Sequence, residues 1–145
     1  MDKVLEIIPF ENLESTWKAM ETPRVSPFMY YDYMRYIVRE ESRKSSHSVR
    51  IACIKSSGEI LMIVPLVYVK GKHAHYKMLG DIGGCDIAGA LYKDGLSEGD
   101  KLECIRFFYD SFPGPMKLFR LWEQSPLYLN APKERIVSAT PVVYA

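Results

Sequence analysis

Apolar residues along this chain change period several times, and each change marks an element. Val4 to Ile8 is a short apolar run closed by Pro9, and it predicts a strand. Phe10, Leu13, Trp17 and Met20 then recur at i, i+3, i+7 and i+10, one face of a helix that Pro23 ends. Tyr30, Tyr33, Met34, Ile37 and Val38 repeat the helical spacing. Asp32, Arg35, Arg39, Glu40 and Arg43 fall mostly on the opposite side. Ser26-Pro27 supplies the start of this second helix, because serine caps free amides and proline is tolerated in a first turn.

After a polar stretch from Ser42 to Ser48 the pattern turns to β. Residues 49–55 and 59–70 are β-branched and apolar, joined by the turn signal Ser56-Ser57-Gly58, and predict a hairpin. From Ile60 to Val64 nearly every position is apolar, so the second strand is expected to be central and covered on both faces. Pro65 cannot donate to a ladder, which predicts a bulge or an unpaired edge there. A turn at Gly71 leads to a third strand over 73–79. Ser97 with Asp100 three places on reads as a capping box, opening a helix through Leu102, Ile105, Tyr109 and Phe112 that Pro113-Gly114-Pro115 breaks. Strands over 117–122 and 136–144 complete the series.

The predicted order is β-α-α-β-β-β-α-β-β, an α/β (α+β) class with a mixed, mostly antiparallel sheet flanked by helices. Hairpin-linked strands in the middle exclude a doubly wound parallel sheet. A chain of 145 residues fits one domain, 1–145, which buries roughly two-thirds of its unfolded surface. The sequence closes on Val142-Val143-Tyr144-Ala145, an apolar strand whose edge invites pairing with another segment of a longer protein or with a second copy.

Composition narrows the classes further. Hydrophobic residues make up 48% and charged residues 26%, which disfavours disorder. The formal net charge is +1, too small for a long-range field toward nucleic acid or an anionic membrane, so no nucleic-acid partner is expected. The longest apolar run, residues 60–69, is far short of the roughly twenty residues that a spanning helix needs, and no membrane span is expected. Asp2, Lys3 and Pro9 leave no signal-peptide core, and a cytoplasmic location is the expectation. Cys53, Cys85 and Cys104 form no CxxC pair, which argues against a zinc ribbon or a disulfide framework.

Four places carry candidate chemistry. Six of the nine glycines, Gly80, Gly83, Gly84, Gly89, Gly95 and Gly99, lie within twenty residues after a strand and before a helix. Such a loop presents backbone amides to a phosphate, although neither a Walker lysine nor a GxGxxG pattern is present, and tight turns alone also call for glycine. His73 and His75 share a strand face beside Lys77, with Asp86, His47 or Cys85 as conceivable third metal ligands. A plain solvent face explains the trio equally well, and no metal site is assigned. Cys85 in Gly83-Gly84-Cys85-Asp86 is either an exposed thiolate or an inert turn residue. Phe28, Met29, Tyr30, Tyr31, Tyr33 and Tyr36 gather at the start of the second helix, where they line a ligand cleft or fill the core.

In this order the landmarks resemble the N-terminal half of the FemAB-like and cellulose-biosynthesis-type (CelD-like) acyltransferases. They are Trp17, Ser26-Pro27-Phe28, Ile63-Val64-Pro65-Leu66, Leu79-Gly80 with Asp86, Leu121-Trp122-Glu123 and Ser125-Pro126-Leu127. Those proteins carry two GNAT-like (N-acetyltransferase-like) folds in tandem. The resemblance implies a GNAT-like domain forming the N-terminal, substrate-side or scaffolding half of an acyl- or aminoacyl-transferase. Asp86 is followed by Ile87 where an aromatic is common in the family, and the Arg/Gln-x-x-Gly-x-Gly/Ala acyl-CoA signature is absent. The resemblance thus places acyl-CoA on a second, C-terminal GNAT-like domain, the expected partner. No catalytic base is assigned. Phe28, Tyr30, Tyr33, Gly80, Gly83, Gly84 and Asp86 are the substrate- or cofactor-binding candidates. The rival reading is a non-enzymatic dimerisation or partner-binding module built on the same sheet, and a complete small acetyltransferase is a third.

Overall fold

A computed structural model describes residues 2–23, 25, 27–79, 89–112 and 116–117 of the chain. Strand β1 (Lys3–Ile7) leads through a 3-10 turn at Phe10–Asn12 into helix α1 (Glu14–Ala19). A second 3-10 turn, Pro27–Met29, precedes α2 (Tyr31–Ser42). The hairpin of β2 (His47–Ser56) and β3 (Glu59–Val69) follows, then β4 (His75–Met78), β5 (Leu91–Tyr92), α3 (Glu98–Ser111) and β6 (Met116–Lys117). The sheet runs β1-β2-β3-β4-β6, with β5 also on β3. All pairs are antiparallel except β4 with β6, which is parallel.

The class is therefore mixed α+β, with an antiparallel sheet between helices. Alternation along β3 builds two cores. Met62, Val64 and Leu66 pack toward α3 with Cys104, Ile105 and Phe108. Ile63 and Val67 pack toward α1 and α2 with Trp17, Met29, Met34 and Ile37. Every residue from Leu61 to Val67 is 8% exposed or less or otherwise buried, the signature of a strand covered on both faces. The turn between β2 and β3 holds Ser57 at φ 52° and Gly58 at φ 79°. Positive φ at both central residues is what a tight two-residue hairpin requires.

Several expectations need correction. The second helix begins at Tyr31, not under a Ser26 cap. Its N-cap, Tyr30, makes no side-chain cap bond, while the Glu21 carboxylate accepts from the Tyr31 amide at 2.5 Å. Ser26 lies outside the described residues. Tyr31 is buried and Tyr30 and Tyr33 are half-buried, so the aromatic stripe is rotated from the predicted one. Of the two alternatives at Pro65 the bulge is absent, because Pro65 stays in register opposite Ile51, while the unpaired edge is met on its other side. The shift falls instead between Ile54 and Lys55, where Leu61 has no partner across the ladder. On the other side Pro65 sits between the β5 and β4 pairings, and its carbonyl accepts from the Leu79 amide at 2.9 Å. The missing N–H therefore interrupts no ladder bond. The strand β5 was not predicted and adds a fourth consecutive strand before α3. The predicted 136–144 strand, with its edge for a second copy or another segment, lies outside the described residues, as does 118–122.

Trp17 locks α1 to the start of α2. Its indole is fully buried and donates to the Met29 carbonyl at 2.8 Å, and its ring meets Phe10 and Tyr31 edge-on at 5.3 and 5.9 Å. Phe10 and Tyr31 are themselves stacked at 4.3 Å. Replacing Trp17 by alanine is expected to cost about 3–5 kcal/mol. Trp17→Phe, which keeps an aromatic ring but leaves the Met29 carbonyl unpaired, should cost about 1–3 kcal/mol. Urea unfolding measures both; midpoints equal to that of the wild type would show that this contact does not hold the helices.

Candidate functional site

The structure opens a cleft of about 420 Å³ between the segment after α1 and the loop from β5 into α3. One wall is Met20, Thr22, Pro23 and Val25. The other is Ala90, Tyr92 and the turn from Lys93 to Leu96, with Lys101 of α3. Local chemistry fixes both walls. The Val25 amide donates to the Thr22 carbonyl at 3.0 Å, closing one turn. Lys93 extends the β5 pairing by donating its amide to Leu61 at 2.8 Å, and its ammonium meets Glu59 at 2.5 Å. Gly95 at φ 82° then reverses the chain. Ser97 caps α3 as its spacing predicts, its hydroxyl accepting from the Asp100 amide at 3.1 Å.

Tyr92 joins this cleft to the α3 core. It is 7% exposed, and the Lys101 ammonium lies 5.6 Å from its ring centroid. Its hydroxyl is buried with no hydrogen-bond partner among the described residues. Burial, with Cys104 and Tyr109 nearby, pushes its pKa above the ordinary tyrosine value, so it stays a neutral phenol and is no base at neutral pH. Lys101 and Lys93 give the cleft cationic groups, while Asp94 and the Glu98 and Asp100 carboxylates of the first turn of α3 oppose them. Those acids already complement the helix dipole, which disfavours a bare anion at that terminus.

A second polar cluster lies where α2 meets the sheet. Glu41 is 8% exposed, accepts from His47 Nδ1 at 2.5 Å and pairs with Lys44 at 3.3 Å. Burial would raise its pKa, but the His47 hydrogen bond, the Lys77 charge and the Lys44 contacts outweigh it and hold the carboxyl below the ordinary 4.5. His47 and His75 both lie opposite Val69, one on each neighbouring strand. The cluster ties the end of α2 to β2 and β4.

The predicted site residues are not all brought together. Phe28 is exposed and meets Tyr33 edge-on at 5.1 Å, and Tyr30 caps α2; none of the three lines the cleft. Gly80, Gly83, Gly84, Asp86 and Cys85 lie outside the described residues. His73 precedes β4 instead of sharing it with His75, and its carbonyl accepts from His75 Nδ1 at 2.8 Å. Among the described residues no three His, Cys, Asp or Glu side chains are placed to hold a metal ion. Cys53 and Cys104 are buried, and burial pushes their thiols up to about 12 and about 11, which leaves them protonated and unreactive. No helix among the described residues is long and apolar enough to cross a membrane. Tyr92 and Glu41 escaped the sequence reading. Glu41 had a signal, since it continues the Met34–Ile37 stripe at helical spacing and is charged where the stripe is buried.

Comparison with known proteins finds no match, neither to a protein-family model, nor to a curated sequence, nor to a solved structure.

Glu41 carries a pH prediction. Because its folded pKa is depressed, its stabilisation is present above the unfolded value of about 4.5 and is lost as pH falls through the folded one. Glu41→Gln should lower stability by about 1–3 kcal/mol at neutral pH. The gap to wild type should close in acid. Unfolding free energies across pH measure it, and a gap that does not change with pH would contradict the charge assignment.

Proposed function

We propose that the chain is a GNAT-like domain acting as the substrate-side or scaffolding half of an acyl- or aminoacyl-transferase of the FemAB-like or CelD-like type. One observation carries the reading. An antiparallel β1-β2-β3-β4 run meets β6 in parallel after a helical crossover, and the cleft opens beside the start of that helix. In open sheets, ligands bind beyond the carboxyl ends of parallel strands, and β4 ends at Met78 opposite Leu66, next along β3 to the β5 pairing that leads into the cleft wall. The order β-α-α-β-β-β also suits the front of an N-acetyltransferase-like fold.

The cleft suits an acceptor better than a donor. Asp94 lies among its lining with Lys93 and Lys101, which fits a molecule bearing an amine as well as polar groups. Transfer itself would be attack of an acceptor amine or hydroxyl on a thioester or ester, releasing the thiol or alcohol, assisted by positioning and a general base. The described thiols and Tyr92 are held neutral and supply neither nucleophile nor base. The acyl donor, acyl-CoA or an aminoacyl ester, is assigned to a C-terminal GNAT-like partner domain. A second reading, a non-enzymatic pairing module, draws on β1, the outer strand of the sheet, where Val4 and Ile7 are 57% and 44% exposed.

Titration of amine-bearing acceptors against the domain, followed by NMR, separates these readings. The expected result is chemical-shift change at Thr22, Tyr92 and Lys101, with no acyl transfer from acetyl-CoA by the domain alone. Turnover by the domain alone would make it a complete acetyltransferase. Shifts confined to β1 on raising protein concentration, with none at the cleft, would favour the pairing module.

A further inference from the structure

The end of the sheet opposite the cleft gathers charge that the whole-chain balance conceals. Two exposed turns meet there, residues 43–46 between α2 and β2 and residues 70–73 between β3 and β4. The Lys70 amide donates to the Ser46 carbonyl at 2.8 Å, and the His47 amide to Lys44 at 3.1 Å. Gly71 at φ 137° lets the second turn close. Arg43, Lys44, Lys70 and Lys72 are all exposed on this tip. Lys70 and Lys72 have no acidic partner among the described residues, while Arg43 and Lys44 pair with Glu40 and Glu41. Arg39, Arg50 and Lys77 lie just behind, on α2, β2 and β4, and the chain's three histidines, His47, His73 and His75, are here too. Among the described residues, seven basic residues thus gather with two acids, Glu40 and Glu41, at this end.

We propose that this basic end docks the protein on an anionic lipid bilayer surface. The tip is built from two adjacent exposed turns, which can meet a flat surface end-on. Its eight exposed residues include no Phe, Tyr or Trp to stack on a base. Nor is there a large apolar side chain to insert below the headgroups, so attachment is coulombic. A membrane surface potential decays within about 8–10 Å at physiological salt. The eleven residues of β3 span about 35 Å at a strand's rise, so Glu59 at its far end lies beyond that reach. The same geometry holds the cleft away from the bilayer, open to solution. This docking does not depend on the transferase reading.

Sedimentation with phosphatidylcholine vesicles, with and without phosphatidylglycerol, tests it on the full chain. Binding is expected only with phosphatidylglycerol and should fall as salt rises. Lys70→Gln with Lys72→Gln should weaken partitioning about twenty- to thirtyfold, from about 1 kcal/mol per surface cation. Both side chains are exposed, so an unchanged thermal midpoint is expected and shows that the variant is folded. Equal partitioning onto both vesicle types, or a double variant that binds as wild type does, overturns the proposal. So does tighter retention by a single-stranded oligonucleotide than by phosphatidylglycerol vesicles at the same salt, which would give the tip a nucleic-acid partner instead.

Discussion

Burial of β3 on both faces is the constraint on which the rest of the structure depends. A strand flanked by β2 on one side and by β4 and β5 on the other has nowhere to place a polar side chain between Leu61 and Val67. Both cores grow from its alternation, one under α3 and one under α1 and α2. Only at its ends does it meet water, and there the molecule differs. Its start, with Glu59 tied to Lys93, supports the turn that walls the cleft. Its end, at Val69, runs into the basic turns. Substituting a polar group in the middle of β3 would therefore disturb both layers at once, whereas changes at either end touch one surface each.

The strongest physical signals in the chain are those that need no tertiary context. Ser97 with Asp100 marks the start of α3 because a hydroxyl capping an amide three residues on is a purely local geometry. Ser57-Gly58 marks the hairpin because positive φ selects such residues. Leu91-Tyr92 leaves no comparable trace, since two residues are too few for alternation, and their pairing depends on β3 being present already. The start of α2 is illegible for a similar reason. Its amide is satisfied by Glu21, ten residues back and outside the helix, whereas the local Ser-Pro pattern points to a start before Tyr31, where the helix opens.

Charge was the property least recoverable from composition. A net value of +1 sums over the whole chain and discards position, yet screening makes electrostatics local. Tertiary folding brings residues 43–46 beside 70–73 through one backbone hydrogen bond and so gathers their cations. Glu41 shows the same effect at the scale of one side chain. Near the end of a helix a carboxylate opposes the dipole, and burial adds to the cost. It is tolerated because His47, Lys44 and Lys77, drawn from a turn and two strands, converge on it.

Among the described residues the cleft offers groups that orient a molecule and no activated nucleophile. An activated nucleophile needs its pKa lowered by a nearby cation or base, and the described thiols move the opposite way because burial outweighs every neighbour. Tyr92 moves in the same direction. What remains at the surface of the cleft are full charges of both signs, Lys93 and Lys101 against Asp94, and a buried phenol behind them. Charges fixed on a strand end and a helix start orient a polar molecule at little reorganisation cost, which is the part of catalysis that a scaffold supplies. On the transferase reading proposed above, a second protein unit would contribute the acyl donor and the base.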